Sequence, residues 1–483
     1  MRLSALSADF VAGRDPEIAG LSADSRTIVP GFLFAALPGV NADGGAFVAD
    51  ALKKGAVAIL GSGAIRKKIS NGVVAVIDEN PRQRLAQIAA RFYGRQPDTI
   101  VAVTGTNGKT SVASFARQIW MQLGHRAASV GTIGIATEGK TKPLSHTTPD
   151  PIEIHRILAD LAGEGIQHVA FEASSHGLAQ YRVDAVTLKA AAFTNLTRDH
   201  LDYHPTFEAY AQAKLRLFGE VLGNDGAAII NADSPSAAAF EDLARGRGQR
   251  VITVGESGRD LQLVERSARG DWQHLVVLWK NRQHRIRLPI AGAFQASNAL
   301  IAAALALSLE DRAADVFGAL ESIQGAPGRL EKVAVTPKGA PIYVDYAHTP
   351  DAIETVLQAL RPHTEGKLWI VFGCGGDRDP GKRPLMGAAA ARLADRVIVT
   401  DDNPRTEDAA LIRRAVLTTA GAALEIGDRA RAIETAIAAL DVGDVLVVAG
   451  KGHEAGQTIG RETTPFNDAE VVRAAATRLA RAS

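Results

Sequence analysis

Residues 104–110, Thr-Gly-Thr-Asn-Gly-Lys-Thr, bring together a glycine turn, a lysine and a hydroxyl in the order that suits a polyphosphate. Before them, the β-branched run Ile100, Val101 and Val103 reads as a buried strand, and after them a helical pattern begins near Ser111. In a strand–loop–helix of this kind the loop N–H groups and the positive helix end face the anion. Lys109 adds a point charge, and the Thr110 hydroxyl can bind Mg²⁺. The general pattern G-x-x-x-x-G-K-[ST] requires glycine at position 103; Val103 stands there, and Gly105 lies inside the loop. The alternative is an ordinary glycine-rich turn with a surface lysine, and the order of strand, Gly108-Lys109-Thr110 and helix argues for phosphate.

Other chemistry-bearing residues recur at the ends of hydrophobic runs. Residues 168–177, 191–202 and 227–233 each pass from an apolar stretch into charged or hydroxyl residues. In a doubly wound parallel sheet, ligands bind at the carboxyl ends of the strands, so these segments predict one active-site rim. Glu172 and His200 are the candidates for the Mg²⁺ side, each also readable as a structural hydrogen-bonding residue. A second set of strands, 342–345, 368–373, 396–400 and 445–449, ends in the polar segments 346–350, 374–383, 401–406 and 450–454. The glycines after Phe372 lack the G-x-G-x-x-G spacing of a dinucleotide site, and Arg378, Lys382 and Arg383 crowd them with cations. The single cysteine, Cys374, reads as a small strand-end residue and not as a nucleophile.

These rims need an α/β scaffold, and the chain has the length for several domains. It has 483 residues, too many for one core, with 46% hydrophobic and 22% charged residues, which is a globular composition. Basic and acidic residues number 54 and 53, so nothing points to nucleic acid or an anionic membrane as the main partner. One cysteine allows no intrachain disulfide. The N-terminus has no apolar stretch of signal-peptide length, and the longest apolar run, 299–309, is too short to span a bilayer. A cytoplasmic protein without membrane insertion is expected. Residues 1–92 read as a small α/β unit, with strands at 31–37, 57–60 and 73–77, helices at 47–54 and 82–92, and polar turns at 22–27 and 38–45. A linker at 93–98 leads into a domain reaching 327, whose alanine-rich helix ends at Leu309, and the turn 325–331 leads into a third unit, 328–483.

Several of these segments together resemble the ATP-dependent Mur ligases of peptidoglycan synthesis. They are Thr104-Gly-Thr-Asn-Gly-Lys-Thr110, Glu172-Ala-Ser-Ser-His-Gly177, Thr194-Asn-Leu-Thr-Arg-Asp-His-Leu-Asp202 and Asp345-Tyr-Ala-His348, and the match runs from Ser22 to Glu454. The variant phosphate loop with Val103 is that family's own. Three further segments resemble the branch that adds the third residue of the stem peptide: Phe372-Gly-Cys-Gly-Gly-Asp-Arg-Asp379, Asp402-Asn-Pro-Arg405 and Gly450-Lys-Gly-His-Glu454. In that branch Asp-Asn-Pro-Arg marks users of meso-diaminopimelate, and lysine-adding relatives lack the arginine. Meso-diaminopimelate is lysine-like with an extra carboxylate, which the planar guanidinium of Arg405 can hold by two parallel hydrogen bonds. Pro404 fixes its own φ and helps hold that loop.

The resemblance implies three α/β domains with mostly parallel sheets: a substrate-binding domain at 1–92, a central P-loop-type ATPase domain at 93–327, and a C-terminal Rossmann-like domain at 328–483. It also implies roles residue by residue. Gly105, Thr106, Asn107, Gly108, Lys109, Thr110 and Ser111 would hold the ATP phosphates, with Asn298, Arg329 and Asp345 completing the nucleotide contacts. Thr110, Glu172, His200 and a carbamylated Lys214 would be the Mg²⁺ ligands, and Lys109, Lys214, Glu172 and His200 the catalytic set. The UDP-muramoyl dipeptide would meet Ala23, Ser25, Val40, Asn41 and Ala42 in the first domain. In the second it would meet His146, Thr147, Thr148, Ser174, Gln180 and Arg182. Asn41 and His146 depart from the residues that relatives often carry, glutamine and asparagine. Meso-diaminopimelate would meet Arg378, Asp402, Asn403, Pro404, Arg405, Gly450 and Glu454. The implied partners are ATP, UDP-MurNAc-L-Ala-D-Glu and meso-diaminopimelate, one for each domain of an expected monomer. Rival readings are another ligase on the same scaffold, a P-loop switch and a NAD-dependent dehydrogenase. The sequence has no Asn-Lys-x-Asp guanine-reading segment, which weighs against a switch. Asp199 and His348 stay open between catalysis and support of the fold.

Overall fold

The computed structural model describes residues 1–7, 14–39, 43–69, 72–199, 203–310 and 312–482. Val40, Asn41, Ala42 and His200 lie outside the described residues. Two compact units emerge, one made of residues 1–109 and 120–252, the other of 110–119 and 253–483.

In the first unit, a four-stranded parallel sheet orders Gly20–Ser22, Phe32–Ala36, Ala58–Gly61 and Ala75–Ile77 side by side. The helix Pro81–Tyr93 covers one face, placing Leu85, Ile88 and Ala89 in a core with Leu33 and Leu60. Its ends are written in the sequence. The Asn80 side chain accepts from Gln83 N, Pro81 opens the first turn, and Gly94 closes it in the left-handed conformation. The larger sheet of this unit has Thr99–Thr104 between Ala190–Phe193 and His168–Glu172, all parallel. Ala227–Asn231 and Ala127–Gly131 flank them in parallel, and the short antiparallel strands Gly134–Thr137 and Lys140–Lys142 follow on the latter side. Nearly every residue of the central strands is buried, as expected for a sheet covered on both faces.

In the second unit, an antiparallel meander of Leu261–Arg269, Trp272–Trp279 and Arg282–Leu288 precedes the buried helix Ala293–Leu307. The main sheet runs Glu331–Val335, Pro341–Asp345, Val445–Ala449, Leu368–Phe372, Arg396–Val399, Leu424–Glu425. It is parallel except for its first pair, and it carries one hydrophobic core on each face. A hairpin, Gly456–Ile459 with Glu462–Pro465, follows the last central strand.

The α/β class and the mostly parallel sheets agree with the sequence. Several short elements do not announce themselves. The stretch 22–27, expected as a turn, begins with the last residue of a strand and contains the 3-10 turn Ser25–Thr27, capped by the Asp24 side chain. The helix expected near Ser111 starts at Lys109. No helix among the described residues is long and apolar enough to cross a membrane.

Candidate active-site clusters

In the first unit, the phosphate loop leaves the strand Thr99–Thr104 through Gly105 at φ +149°, where a Cβ would lie 1.8 Å from Thr194 Oγ1. Only glycine fits so close an approach. The loop is held from the neighbouring strand end: Thr106 N donates to Asn195 O (2.8 Å) and Asn107 N to Asn195 Oδ1 (3.0 Å). Thr194 Oγ1 donates to Asn107 O (2.5 Å), and the Thr106 hydroxyl lies 3.0 Å from that of Tyr210. Thr194 and Asn195 open a segment that carries the family resemblance, but neither they nor Tyr210 were given a site role from the sequence. Their contribution is backbone support, which depends on spatial neighbours and not on spacing.

Two lysines converge on the loop. Lys109 Nζ donates to Gly105 O (2.9 Å) and Thr106 O (2.8 Å), and Lys214 Nζ donates to the same Gly105 O (2.7 Å). Lys214 is fully enclosed, with its ammonium 4.4 Å from the Tyr210 ring centre. Burial first, and the nearby Lys109 charge second, push Lys214 well below the ordinary lysine pKa, against the opposing pull of Asp199. Asp199 itself lies on the exposed segment that precedes residue 200.

Glu172 ends the strand His168–Glu172 and is buried. Its carboxylate accepts from Thr132 N (2.7 Å) and Thr132 Oγ1 (3.1 Å), and the Thr132 hydroxyl is 3.0 Å from that of Thr147. Thr132 lies 40 residues from Glu172 in sequence, so no local motif reveals it. Beside it, Thr148 Oγ1 donates to Glu172 O (2.7 Å) and accepts from Ser174 N (3.0 Å). Arg182 Nη1 donates to Thr148 O (2.8 Å) and Nη2 to Gln180 Oε1 (2.9 Å), while Gln180 Nε2 donates to Tyr203 Oη (3.0 Å). Thr147, Thr148, Ser174, Gln180 and Arg182 therefore form one connected patch. His146 is exposed, bonded to its neighbour Ser145, and Ala23 is exposed next to the buried Ser25.

The second unit holds two further clusters. Asn298 Nδ2 donates to Gln295 Oε1 (3.0 Å), Gln295 Nε2 to Arg329 O (2.6 Å), and Leu330 N to Asp345 Oδ2 (2.6 Å). Arg329 lies over the Tyr346 ring, 4.8 Å from its centre. Burial pushes the Asp345 carboxyl up to about 6, opposed by Arg329 and by the N–H groups of Leu330 and Ala347. His348 Nδ1 pairs with Tyr346 O (2.8 Å). Thr110 and Ser111, which open the helix after the loop, are buried.

The other cluster joins the ends of three strands. Asn403 Nδ2 donates to Glu454 Oε2 (2.9 Å), and Asn403 Oδ1 accepts from Thr458 N (3.0 Å). Arg405 adopts φ +51°, its N–H donates to Thr458 O (3.1 Å), and its Nη1 donates to Gly376 O (2.7 Å). At Gly376 a Cβ would lie 1.9 Å from Pro404 O, so the glycine lets the two loops touch. Asp402, Asn403, Pro404 and Gly450 are buried and Arg378 is exposed. Cys374 is buried against Met386, and burial pushes its thiol up to about 12, which leaves it inert as a nucleophile. A cavity of about 470 Å³ between Ile290, Ile323, Leu330 and Tyr343 is lined by none of the predicted site residues.

Comparison with known proteins gives a consistent picture. Residues 17–93 match the family model "Mur ligase family, catalytic domain", 103–306 "Mur ligase middle domain", and 328–452 "Mur ligase, glutamate ligase domain". The chain is 51% identical over 470 residues to the UDP-N-acetylmuramoyl-L-alanyl-D-glutamate–2,6-diaminopimelate ligase of Mesorhizobium japonicum, covering 97% of each chain. It is 53% identical to the ligase of the same description from Agrobacterium fabrum, covering 96% of this chain and 94% of that one. A solved structure of a ligase with this description superposes with a TM-score of 0.76 at 32% identity, over 99% of both chains.

Proposed function

Because the chain belongs to the Mur ligase family, we propose that it joins meso-2,6-diaminopimelate to UDP-N-acetylmuramoyl-L-alanyl-D-glutamate at the expense of ATP. It is an acid–amino-acid ligase of peptidoglycan precursor synthesis, acting in the cytoplasm. The observation that supports the choice of amino acid is Arg405. Its backbone is fixed in the left-handed region between two loops, and one guanidinium nitrogen is engaged by Gly376 O. The planar fork then has donors for a second carboxylate, which diaminopimelate has and lysine lacks.

The reaction starts from a carboxylate, a poor electrophile at neutral pH. The terminal D-glutamate carboxylate of the substrate attacks the γ-phosphorus of ATP, the bond to ADP breaks, and an acyl phosphate forms. The neutral amine of diaminopimelate attacks the acyl carbon, loses a proton and expels phosphate, leaving the amide. In the first step the protein's work is positioning and neutralisation of charge by Lys109 and the loop N–H groups. Lys109 is bonded to loop carbonyls 2.9 and 2.8 Å away, which aims its charge into the loop. Asn298, Arg329 and Asp345 are assigned to the nucleotide by the family resemblance, and the patch from Thr147 to Arg182 to the UDP-muramoyl dipeptide.

The family resemblance gives Thr110 and Glu172 as the residues that would hold Mg²⁺; oxygen donors suit this ion, and the Glu172 carboxylate is buried and oriented by Thr132. When bound, it would neutralise the phosphate charge. Lys214 joins this set after carbamylation, and its enclosure supports that assignment. Burial pushes this amine well below its ordinary pKa, which favours the uncharged form that adds to CO₂, forming an N–C bond and releasing one proton. The product is an anionic oxygen donor where a cation stood.

ADP release with UDP-MurNAc-L-Ala-D-Glu, ATP and Mg²⁺, run in parallel with meso-diaminopimelate and L-lysine, tests the reading. Turnover is expected with diaminopimelate alone. Arg405→Ala is expected to lower kcat/KM for it by roughly 10³-fold or more, because the substrate carboxylate is left unpaired. Preference for lysine would overturn the selectivity argument and keep the scaffold.

A further inference from the structure

Lys451 is assigned no role by the family segments, yet it is the most deeply placed charge of the amino-acid cluster. It follows the strand Val445–Ala449, and its side chain is 0% exposed against 34% for Glu454. Its Nζ donates to Asn403 Oδ1 at 2.9 Å and lies 3.3 Å from Glu454 Oε2. Asn403 Nδ2 donates to that same Glu454 oxygen at 2.9 Å, which closes a triangle of three polar side chains. Thr458 N meets Asn403 Oδ1 from the hairpin at 3.0 Å.

The triangle has one self-consistent polarity. With Lys451 and Thr458 N both donating, the Asn403 oxygen must face them, and its NH₂ must face Glu454. A flipped amide would set NH₂ against the ammonium and oxygen against the carboxylate. We propose that Lys451 is a positioning residue that locks the Asn403 amide and the Glu454 carboxylate for the amino-acid substrate. Glu454, the partly exposed corner, presents its carboxylate to a substrate ammonium, while Arg405 receives a substrate carboxylate. The pair thus suits a ligand that carries both an ammonium and a carboxylate. This inference rests on the proposed function and on the assignment of Asn403, Arg405 and Glu454 to the amino acid by the family resemblance.

The test compares wild type with Lys451→Met, which keeps the chain length and removes charge and donors. KM for meso-diaminopimelate is expected to rise about 10–100-fold, the scale of losing hydrogen bonds to a charged group. KM for ATP and for the UDP-linked substrate is expected to hold. Formation of the acyl phosphate, trapped by hydroxylamine as a hydroxamate, is also expected to hold. If Lys451→Met does not fold, Lys451→Gln is measured in the same way, with a smaller rise expected. An unchanged KM for diaminopimelate overturns the proposal. So does a loss shared equally by all three substrates and by hydroxamate formation, or failure of both variants to fold, since each marks a merely structural lysine. Wild-type turnover is measured first. Its absence with diaminopimelate overturns the functional reading itself, whereas turnover combined with an indifferent Lys451→Met overturns only the role of Lys451.

Discussion

At Asp345 two influences oppose each other, and the balance has a measurable sign. Burial raises the carboxyl to about 6, while Arg329 and two backbone N–H groups pull it down. The folded chain therefore binds this proton more tightly than the unfolded chain, whose carboxyl sits near the ordinary 3.8. The resulting stability is fully present below the unfolded value and is lost as pH rises through about 6. Relative to Asp345→Asn, which does not titrate, wild type is expected to lose up to about 3 kcal/mol between acidic and neutral pH. Urea unfolding of both proteins across that range checks this; wild type gaining stability relative to Asp345→Asn as pH rises would refute the assignment. Neither Asp345 nor Lys214 could have been given this behaviour from sequence, because burial is set by partners distant in the chain. Lys214 bonds a carbonyl 109 residues away. What the sequence did carry was residue type: a lysine after Gly108, and an arginine after Asn403-Pro404.

Elements differ in how far they could be read. The strand Thr99–Thr104 and the helix after it were legible because a buried strand is a continuous apolar run and a glycine–lysine turn has its own chemistry. The hairpin Gly456–Ile459 with Glu462–Pro465 was not, since its exposed strands alternate too weakly to show a period. Yet this hairpin meets the amino-acid cluster: Thr458 N bonds Asn403 Oδ1, Thr458 O accepts from Arg405 N, and Gln457 Nε2 donates to Asp402 O at 2.7 Å. Proline at 458 removes the donor and leaves the acceptor. Thr458→Pro is expected to raise KM for diaminopimelate about 10-fold, the scale of one hydrogen bond, without changing KM for ATP. Thr463→Val removes only the exposed hydroxyl contact to Thr458 and serves as control. Equal behaviour of the two variants in the ADP-release assay would remove the hairpin from the account of specificity.

For the whole molecule, the expected boundaries near 92 and 327 followed turn-forming residues. Packing groups the chain into two compact units, with divisions within the helix Lys109–Gln122 and the strand Arg250–Gly255. The chemistry divides as well. Lys109 and Glu172 belong to the first unit, Arg405 and Glu454 to the second. Two-step ligation predicts that the two sets can be separated by trapping the intermediate. Hydroxylamine converts an acyl phosphate into a hydroxamate and free phosphate, so it reports the first step without any amino-acid substrate. Arg405→Ala is expected to form hydroxamate at the wild-type rate while losing amide formation with diaminopimelate. Lys109→Met is expected to lose both by roughly 10²-fold or more, as for removal of a preorganised charge-stabilising group. An Arg405→Ala enzyme that makes no hydroxamate would mean that amino-acid recognition is needed before phosphoryl transfer. The two steps would then have to be treated as one coupled event, with the arginine acting on the first as well as the second.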